Sequence, residues 1–331
     1  MIKFLIKTIG LILYMKKLFC YLMLSLSLLP VCLFSDSTIS DSHRNKDKSA
    51  LAFTEPQNIH KVIDYDSATA NQINTPSPFL DYFPDIGKIV KRGTLRIGVN
   101  TFSSNEPFII ENPKGEFSGL DIEISKDFCK NIGVKPEFNY KAQNIIELFK
   151  MLASGEIDIA VGDLSRSFER MKYVYFSKSY AVFYHTIIMN NDDLKRLGIE
   201  KNPFKYLQEN DVKIGVESET AYVEFAQLDF PKATLVKYPP NGDGFGDLQK
   251  HKILVGFGDS NEFAAVARKF PEIALHFTMY VLADLKVSKG IAVSPINPNL
   301  LSLINSYLEM HDVNYELEDL IEKYPDVYKC E

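Results

Sequence analysis

The chain has 331 residues, 46% hydrophobic and 24% charged, enough to bury a sizeable core in one large or two medium domains. Its net charge of −6 leaves no basic excess to neutralise phosphates, which excludes a nucleic-acid backbone as the main partner. Trp is absent, and 17 Tyr and 23 Phe supply the large apolar groups.

Residues 1–35 stand apart. Lys3, Lys7, Lys16 and Lys17 precede an apolar run from Leu18 to Phe34, broken only by Ser25, Ser27 and Pro30. A positive segment followed by an apolar one reads as an export signal, with Met15 as an alternative start. The alternative is a retained anchor, for which a run of about 17 residues is at the short limit of a span. A lipid on Cys32 is a further variant, although Leu29-Pro30-Val31 lacks the small residues expected before an acylated cysteine. A periplasmic location follows from either form of export. Residues 36–82 read as a flexible tether, polar and with Pro56, Pro76 and Pro78. If residues 1–35 are removed, Cys129 and Cys330 remain, either as one disulfide or as two inert thiols.

From Phe83 onward strands and helices alternate. Leu95–Val99 is a short β run, Leu120–Ile132 has apolar residues at helical spacing, and Pro136–Tyr140 is a second strand. Ile145–Leu152 is a helix closed by Ser154-Gly155, and Ile157–Val161 is a third strand. The pattern restarts with strands at Val212–Val216, Thr234–Tyr238 and Ile253–Phe257, separated by helices at Thr220–Gln227 and Phe245–Lys250. Two such units predict two α/β lobes: 83–187, 188–285, and a return to the first lobe with C-terminal helices over 286–331. Ligands of α/β sheets bind beyond the carboxyl ends of strands, so the loops after Val99, Val161, Val216 and Phe257 are the places to look.

Four motifs then occur in order. They are Gly119-Leu120-Asp121-Ile122-Glu123-Ile124; Leu152 to Gly155 running into Ile157-Asp158-Ile159-Ala160; Asp163-Leu164-Ser165 followed by Glu169-Arg170; and Val174-Tyr175-Phe176-Ser177 with Tyr180. Together they resemble the extracellular solute-binding proteins of family 3, the polar amino-acid class that serves ABC transporters. Weaker matches at Gly215-Val216, Thr220-Ala221-Tyr222, Asp259 and Gly290–Val293 extend the resemblance over about residues 90–325. It implies a two-lobed, type II periplasmic-binding-protein-like fold whose lobes are joined by two crossing strands. It implies a monomer that captures a free amino acid between the lobes and hands it to a transporter permease. The chain departs from the family pattern at Phe128, at Leu254, and at Glu219, where many members have Gly.

The resemblance places Arg170 and Ser165 in a carboxylate clamp. The residue types suit that role. A guanidinium offers a carboxylate two parallel donors, and a hydroxyl at a strand-to-helix turn adds another. Thr220 and Ala221 stand at a helix start, where free N–H groups favour an anion. Asp259 and Asp163 are placed to accept from an ammonium. Each has a plainer alternative: Arg170 in a surface pair with Glu169, and Asp163, Thr220 or Asp259 as a cap. Asp121 reads as structural. Asn100 ends the first strand, where the family often has Asp; the amide argues against a strongly cationic ligand, although Glu217 and Glu219 leave that open. Phe102 covers the ligand or joins the core.

The six His form no metal-ligand spacing, and there is no Gly-x-Ser-x-Gly or phosphate loop, so no metal or cofactor is expected. An enzyme alternative is specific. Asp259-Ser260-Asn261-Glu262 resembles the Asp-x-x-Glu of cyclohexadienyl dehydratases of this fold, with Glu262 as general acid and Lys289 as an assisting cation. The plainer account of Glu262 is a first-turn helix glutamate. A sensing module docked on a membrane receptor is a third alternative.

Overall fold

The computed structural model describes residues 83–328, except residues 103–104, 241, 243, 270 and 272. The export signal, the tether, Cys32 and Cys330 lie outside the described residues. All those described belong to one unit, Thr75–Glu331.

Pro84 opens the first helix, α1 (Pro84–Arg92), where its missing N–H costs nothing. Strand β1 (Thr94–Val99), the hairpin β2 (Ile110–Glu111) and β3 (Phe117–Ser118), and helix α2 (Leu120–Asn131) follow. Gly119, before α2, has φ 108°, and a Cβ there would meet the carbonyl oxygens of Pro107 and Phe108 at 2.6 Å. Only glycine fits that approach, which accounts for the first residue of the Gly119–Ile124 motif. Next come β4 (Lys135–Asn139), α3 (Ile145–Ser154), β5 (Ile159–Val161), α4 (Phe168–Met171) and β6 (Tyr175–Phe176). Asn144 caps α3 by accepting from the Glu147 N–H at 2.9 Å.

Strand β7 (Ala181–Asn190) leaves this region for a second one. That region holds α5 (Asn191–Leu197), α6 (Pro203–Glu209), β8 (Lys213–Glu217), α7 (Tyr222–Asp229), β9 (Thr234–Tyr238) and α8 (Gly244–Gln249). It continues with β10 (Val255–Asp259), α9 (Ser260–Lys269), α10 (Ile273–His276) and β11 (Phe277–Lys289). The chain returns as β12 (Ala292–Val293), α11 (Pro298–Met310), α12 (Leu317–Lys323) and α13 (Pro325–Tyr328).

The first sheet has the order β4-β1-β5-β12-β6 and the second β11-β7-β10-β8-β9. In the first, β1 runs parallel to β4 and β5. In the second, β8 runs parallel to β9 and β10. In β1 the alternating residues Leu95, Ile97 and Val99 are all fully buried and put one face of the strand in the core, whereas Thr94 and Arg96 on the other face are half-buried. Strands β7 and β11 cross between the lobes as an antiparallel pair, with Asn190 opposite Phe277 at one end and Ala181 opposite Lys289 at the other. Strand β11 bulges between Val281 and Lys286. This is the two-lobed α/β architecture that the strand pattern predicted. Asp85 of α1 closes the first lobe by accepting from the N–H groups of Asn299 and Leu300 at the start of α11, at 2.9 and 3.1 Å. No described helix is long and apolar enough to cross a membrane.

Candidate functional site

The loops after β1, β5, β8 and β10 converge on one cavity of about 890 Å³ between the lobes. Asn100, Asp163, Ser165, Arg170, Thr220 and Ala221 all line it; Asp259 does not. Phe102 lines it too, and it also packs against the apolar cluster of Ile145, Leu148 and Leu164, so both of its alternatives stand.

The loop after β5 is held from below. Asp121, the aspartate of the α2 motif, accepts from the N–H groups of Gly162 and Asp163 at 2.6 and 3.0 Å. That pins Asp163, whose backbone is left-handed at φ 55°. Asn100 is buried at the end of β1 and donates to the Gly162 carbonyl at 2.9 Å, so it too shapes this loop.

Ser167 caps α4 by accepting from the Arg170 N–H, which turns the Arg170 side chain back toward the cavity. Its guanidinium donates to the Ser165 carbonyl at 3.1 Å and, across the cleft, to the Glu219 carbonyl at 3.2 Å. No described acid pairs with Arg170. Glu169 pairs instead with Lys172, at 2.5 Å on the surface. Burial brings the Arg170 guanidinium down to about 10, still cationic at neutral pH, with Tyr222, Asp163 and Glu224 working the other way. Glu219, where the family pattern has Gly, adopts φ 64° and so aims its carbonyl at Arg170. Thr220 donates to the Glu217 carbonyl at 2.7 Å, and Ala221 is the residue before the first turn of α7.

The two aspartates expected to meet an ammonium share one from the protein itself. Lys289, fully buried at the end of β11, sits 2.7 Å from Asp163 Oδ1, 3.0 Å from Asp259 Oδ2 and 3.1 Å from Ser165 Oγ. Its Nζ also stands 5.7 and 5.8 Å from the ring centroids of Phe183 and Tyr222. Asp259 is 1% exposed and its oxygens are fully occupied. Oδ2 also accepts from the Tyr222 hydroxyl at 2.7 Å, and Oδ1 caps α9 through the N–H groups of Asn261 and Glu262, both at 2.9 Å. Burial alone would raise the Asp259 carboxyl, but Lys289, the Glu262 N–H and Tyr222 hold it below its usual range. Asp163 has fewer partners, and burial lifts it to about 7 against the pull of Lys289.

A second acid pair has no such partner. Glu217, at the end of β8, and Glu262, in the first turn of α9, both line the cavity. Glu217 Oε1 and Glu262 Oε2 are buried without a hydrogen-bond partner. Burial raises Glu217 to about 7. Burial, and then the charges of Asp259 and Glu217, push Glu262 well above the usual carboxylate range.

The sequence reading gave Lys289 only a catalytic alternative and Tyr222 none. A signal for Lys289 existed. Val287, Lys289 and Ile291 alternate onto one side of the chain, and all three are buried, so the lysine stands at an inward position. Among the described residues no group of His, Cys, Asp and Glu is arranged to hold a metal.

A family model described as bacterial extracellular solute-binding proteins, family 3, matches residues 95–326. Membrane-bound lytic murein transglycosylase F of Vibrio cholerae is 29% identical over 210 residues, 59% of this chain. The chain spans only 38% of that relative's length. The ABC transporter arginine-binding protein 1 of Escherichia coli is 24% identical, over 64% of this chain and 84% of that protein. A crystal structure of an ancestral amino acid-binding protein, a precursor of cyclohexadienyl dehydratase, superposes with a TM-score of 0.55 at 26% identity. It covers 74% of this chain and 99% of that one.

Proposed function

From the membership of this chain in the bacterial extracellular solute-binding proteins, family 3, we propose that it captures an amino acid in the interlobe cleft and delivers it to an ABC-type importer. The observation that carries this reading is Arg170. It is a cationic guanidinium without an acidic partner among the described residues, set on a cavity between lobes and facing the start of α7. Such a group asks for a carboxylate, and the free N–H groups of the first turn of α7 favour the same charge. Ser165, Thr220, Ala221, Asn100 and Asp163 complete the ligand's surroundings, and Asp259 acts from behind through Lys289. Binding selects the closed form, which a permease in the membrane then reads. The protein works as an exported monomer.

The test is a thermal-shift screen of the purified chain with the twenty amino acids, followed by calorimetry. A ligand that binds only the folded form raises the melting temperature. Arg170→Ala should abolish the shift; retention of wild-type affinity for every amino acid that binds would sink the assignment.

One observation favours a second reading, cyclohexadienyl dehydratase activity. Glu262 is buried, and burial together with the charges of Asp259 and Glu217 holds its carboxyl well above the usual carboxylate range, the direction a general acid needs. Lys289, the assisting cation of that reading, already holds two aspartates, which weighs against it. Incubation with prephenate and no release of phenylpyruvate removes this reading.

A further inference from the structure

An ammonium and two carboxylates already form a closed set at Lys289, Asp163 and Asp259. A ligand's α-ammonium placed there would stand beside a second cation and find both acids engaged. The cavity offers negative charge elsewhere. Glu217 and Glu262 face it from two elements of the second lobe, each with a buried oxygen that has no hydrogen-bond partner. Asp163 Oδ1 also lacks a hydrogen bond, but it has the Lys289 ammonium at 2.7 Å, and the two glutamates have no such ion pair. Glu262 is also held in place: a Cβ on Gly258 would lie 2.2 Å from Glu262 Oε2, so the absence of a side chain in β10 makes the room its carboxylate occupies.

We propose that Lys289 is a built-in substitute for the ligand's α-ammonium, and that the cation this cavity takes is seated at Glu217 and Glu262. The solute is then a carboxylate carrying a distal amine or guanidinium, and it needs no α-amino group. This rests on Arg170 holding the carboxylate, as argued above. Cation binding satisfies the two orphaned oxygens and relieves the repulsion between the acids. It also answers the amide at Asn100: a cationic side chain is compensated from the second lobe, not from the end of β1.

The experiment compares three probes on the wild-type chain by calorimetry: L-arginine, 4-guanidinobutyrate, which lacks the α-amine, and L-norvaline, which lacks the distal cation. Arginine and 4-guanidinobutyrate are expected to bind with similar affinity. Norvaline should be weaker by about 30-fold or more, the loss expected when a buried charge partner is removed. If 4-guanidinobutyrate loses that factor while norvaline matches arginine, the α-ammonium is read and the proposal falls, with the amino-acid reading intact. If none of the three binds and the twenty-amino-acid screen is also blank, the amino-acid reading falls with it. Glu217→Gln/Glu262→Gln supplies the second arm. It should lose arginine and 4-guanidinobutyrate together while melting no lower than wild type, and unchanged affinity there overturns the seat. Lys289→Ala should restore a preference for arginine over 4-guanidinobutyrate by freeing two aspartates for an α-amine.

Discussion

The cleft holds two pairs of carboxylates, one bridged by a lysine and one not. Asp163 and Asp259 belong to different lobes, and a buried lysine bridges them with contacts of 2.7 and 3.0 Å. Glu217 and Glu262 belong to one lobe, face the cavity and have no described cation between them. The outcome for the titrating groups differs accordingly. Asp259 is held below its usual range even though burial works against it, whereas Glu262 is driven far above its own. Burial is common to both, and Lys289 alone does not decide the outcome: Asp163, beside the same lysine, is still lifted to about 7, whereas Asp259 also accepts from the Glu262 N–H and the Tyr222 hydroxyl. Buried charge is tolerable where a partner and hydrogen bonds compensate it; where they do not, the group takes up a proton.

Removing the bridge should have the largest effect. Lys289→Ala leaves Asp163 and Asp259 facing each other across the cleft without a cation, and breaking a buried pair from one side costs about 3–5 kcal/mol. Urea denaturation at neutral pH is expected to show that loss. Adding Asp163→Asn and Asp259→Asn to Lys289→Ala should recover most of it. If the single variant is as stable as wild type, the bridge does not compensate the aspartates, and the contrast between the two pairs collapses.

Arg170→Ala is next, and its effect should fall on binding. The guanidinium donates only to backbone carbonyls, of Ser165 and Glu219, so stability should change by less than about 1 kcal/mol. Ligand affinity should drop by about 2–5 kcal/mol. A variant that loses stability but keeps affinity would make Arg170 a structural residue that ties the lobes together, closer in kind to Lys289.

Much of this was legible before the structure, and the legible part follows local chemistry. Strand β9 coincides with the predicted Thr234–Tyr238, and β1 differs from the predicted run by one residue. These strands are short segments rich in β-branched and apolar residues next to turn residues such as Gly93 and Pro239, a signal contained in neighbouring positions. Arg170 was found through Ser165 and the Phe176-Ser177 run around it. Glu219 was flagged as a departure from glycine, and the left-handed backbone there gives the reason that glycine suits the position. The capping role weighed for Asp259 is present, but it takes only one of its oxygens. Pairing across the molecule could not be read. Lys289 lies far along the chain from Asp163, and they meet only because β11 runs back alongside β7 and ends against Ser165. Nothing in the spacing of those residues encodes that meeting.

The smallest expected effect is the most specific to the unpaired acids. The Glu217 carboxyl, raised by burial to about 7, takes up protons on folding between its unfolded value near 4.5 and about 7. The folded state binds more protons than the unfolded one in that window, so this group's contribution to stability is full below about 4.5 and is lost as pH rises through 7. Glu262 from α9 and Asp163 from the β5 loop line the same cavity, with Asp259 from β10 and Lys289 from β11 buried behind them, and all four titrate or carry charge near Glu217. Glu217→Gln removes the cost of the bare carboxylate and nothing else. Its stability should match wild type at pH 4 and exceed it at pH 8 by on the order of 1 kcal/mol. A bound cation reverses the sign for the wild type: it favours the carboxylate, expels the proton and makes affinity rise with pH through 7. Calorimetry in two buffers of different ionisation enthalpy reads that proton release directly. A wild-type chain that binds its ligand with no proton released, and a Glu217→Gln variant with an unchanged pH profile, would mean that Glu217 is already compensated in the free protein, as Asp259 is.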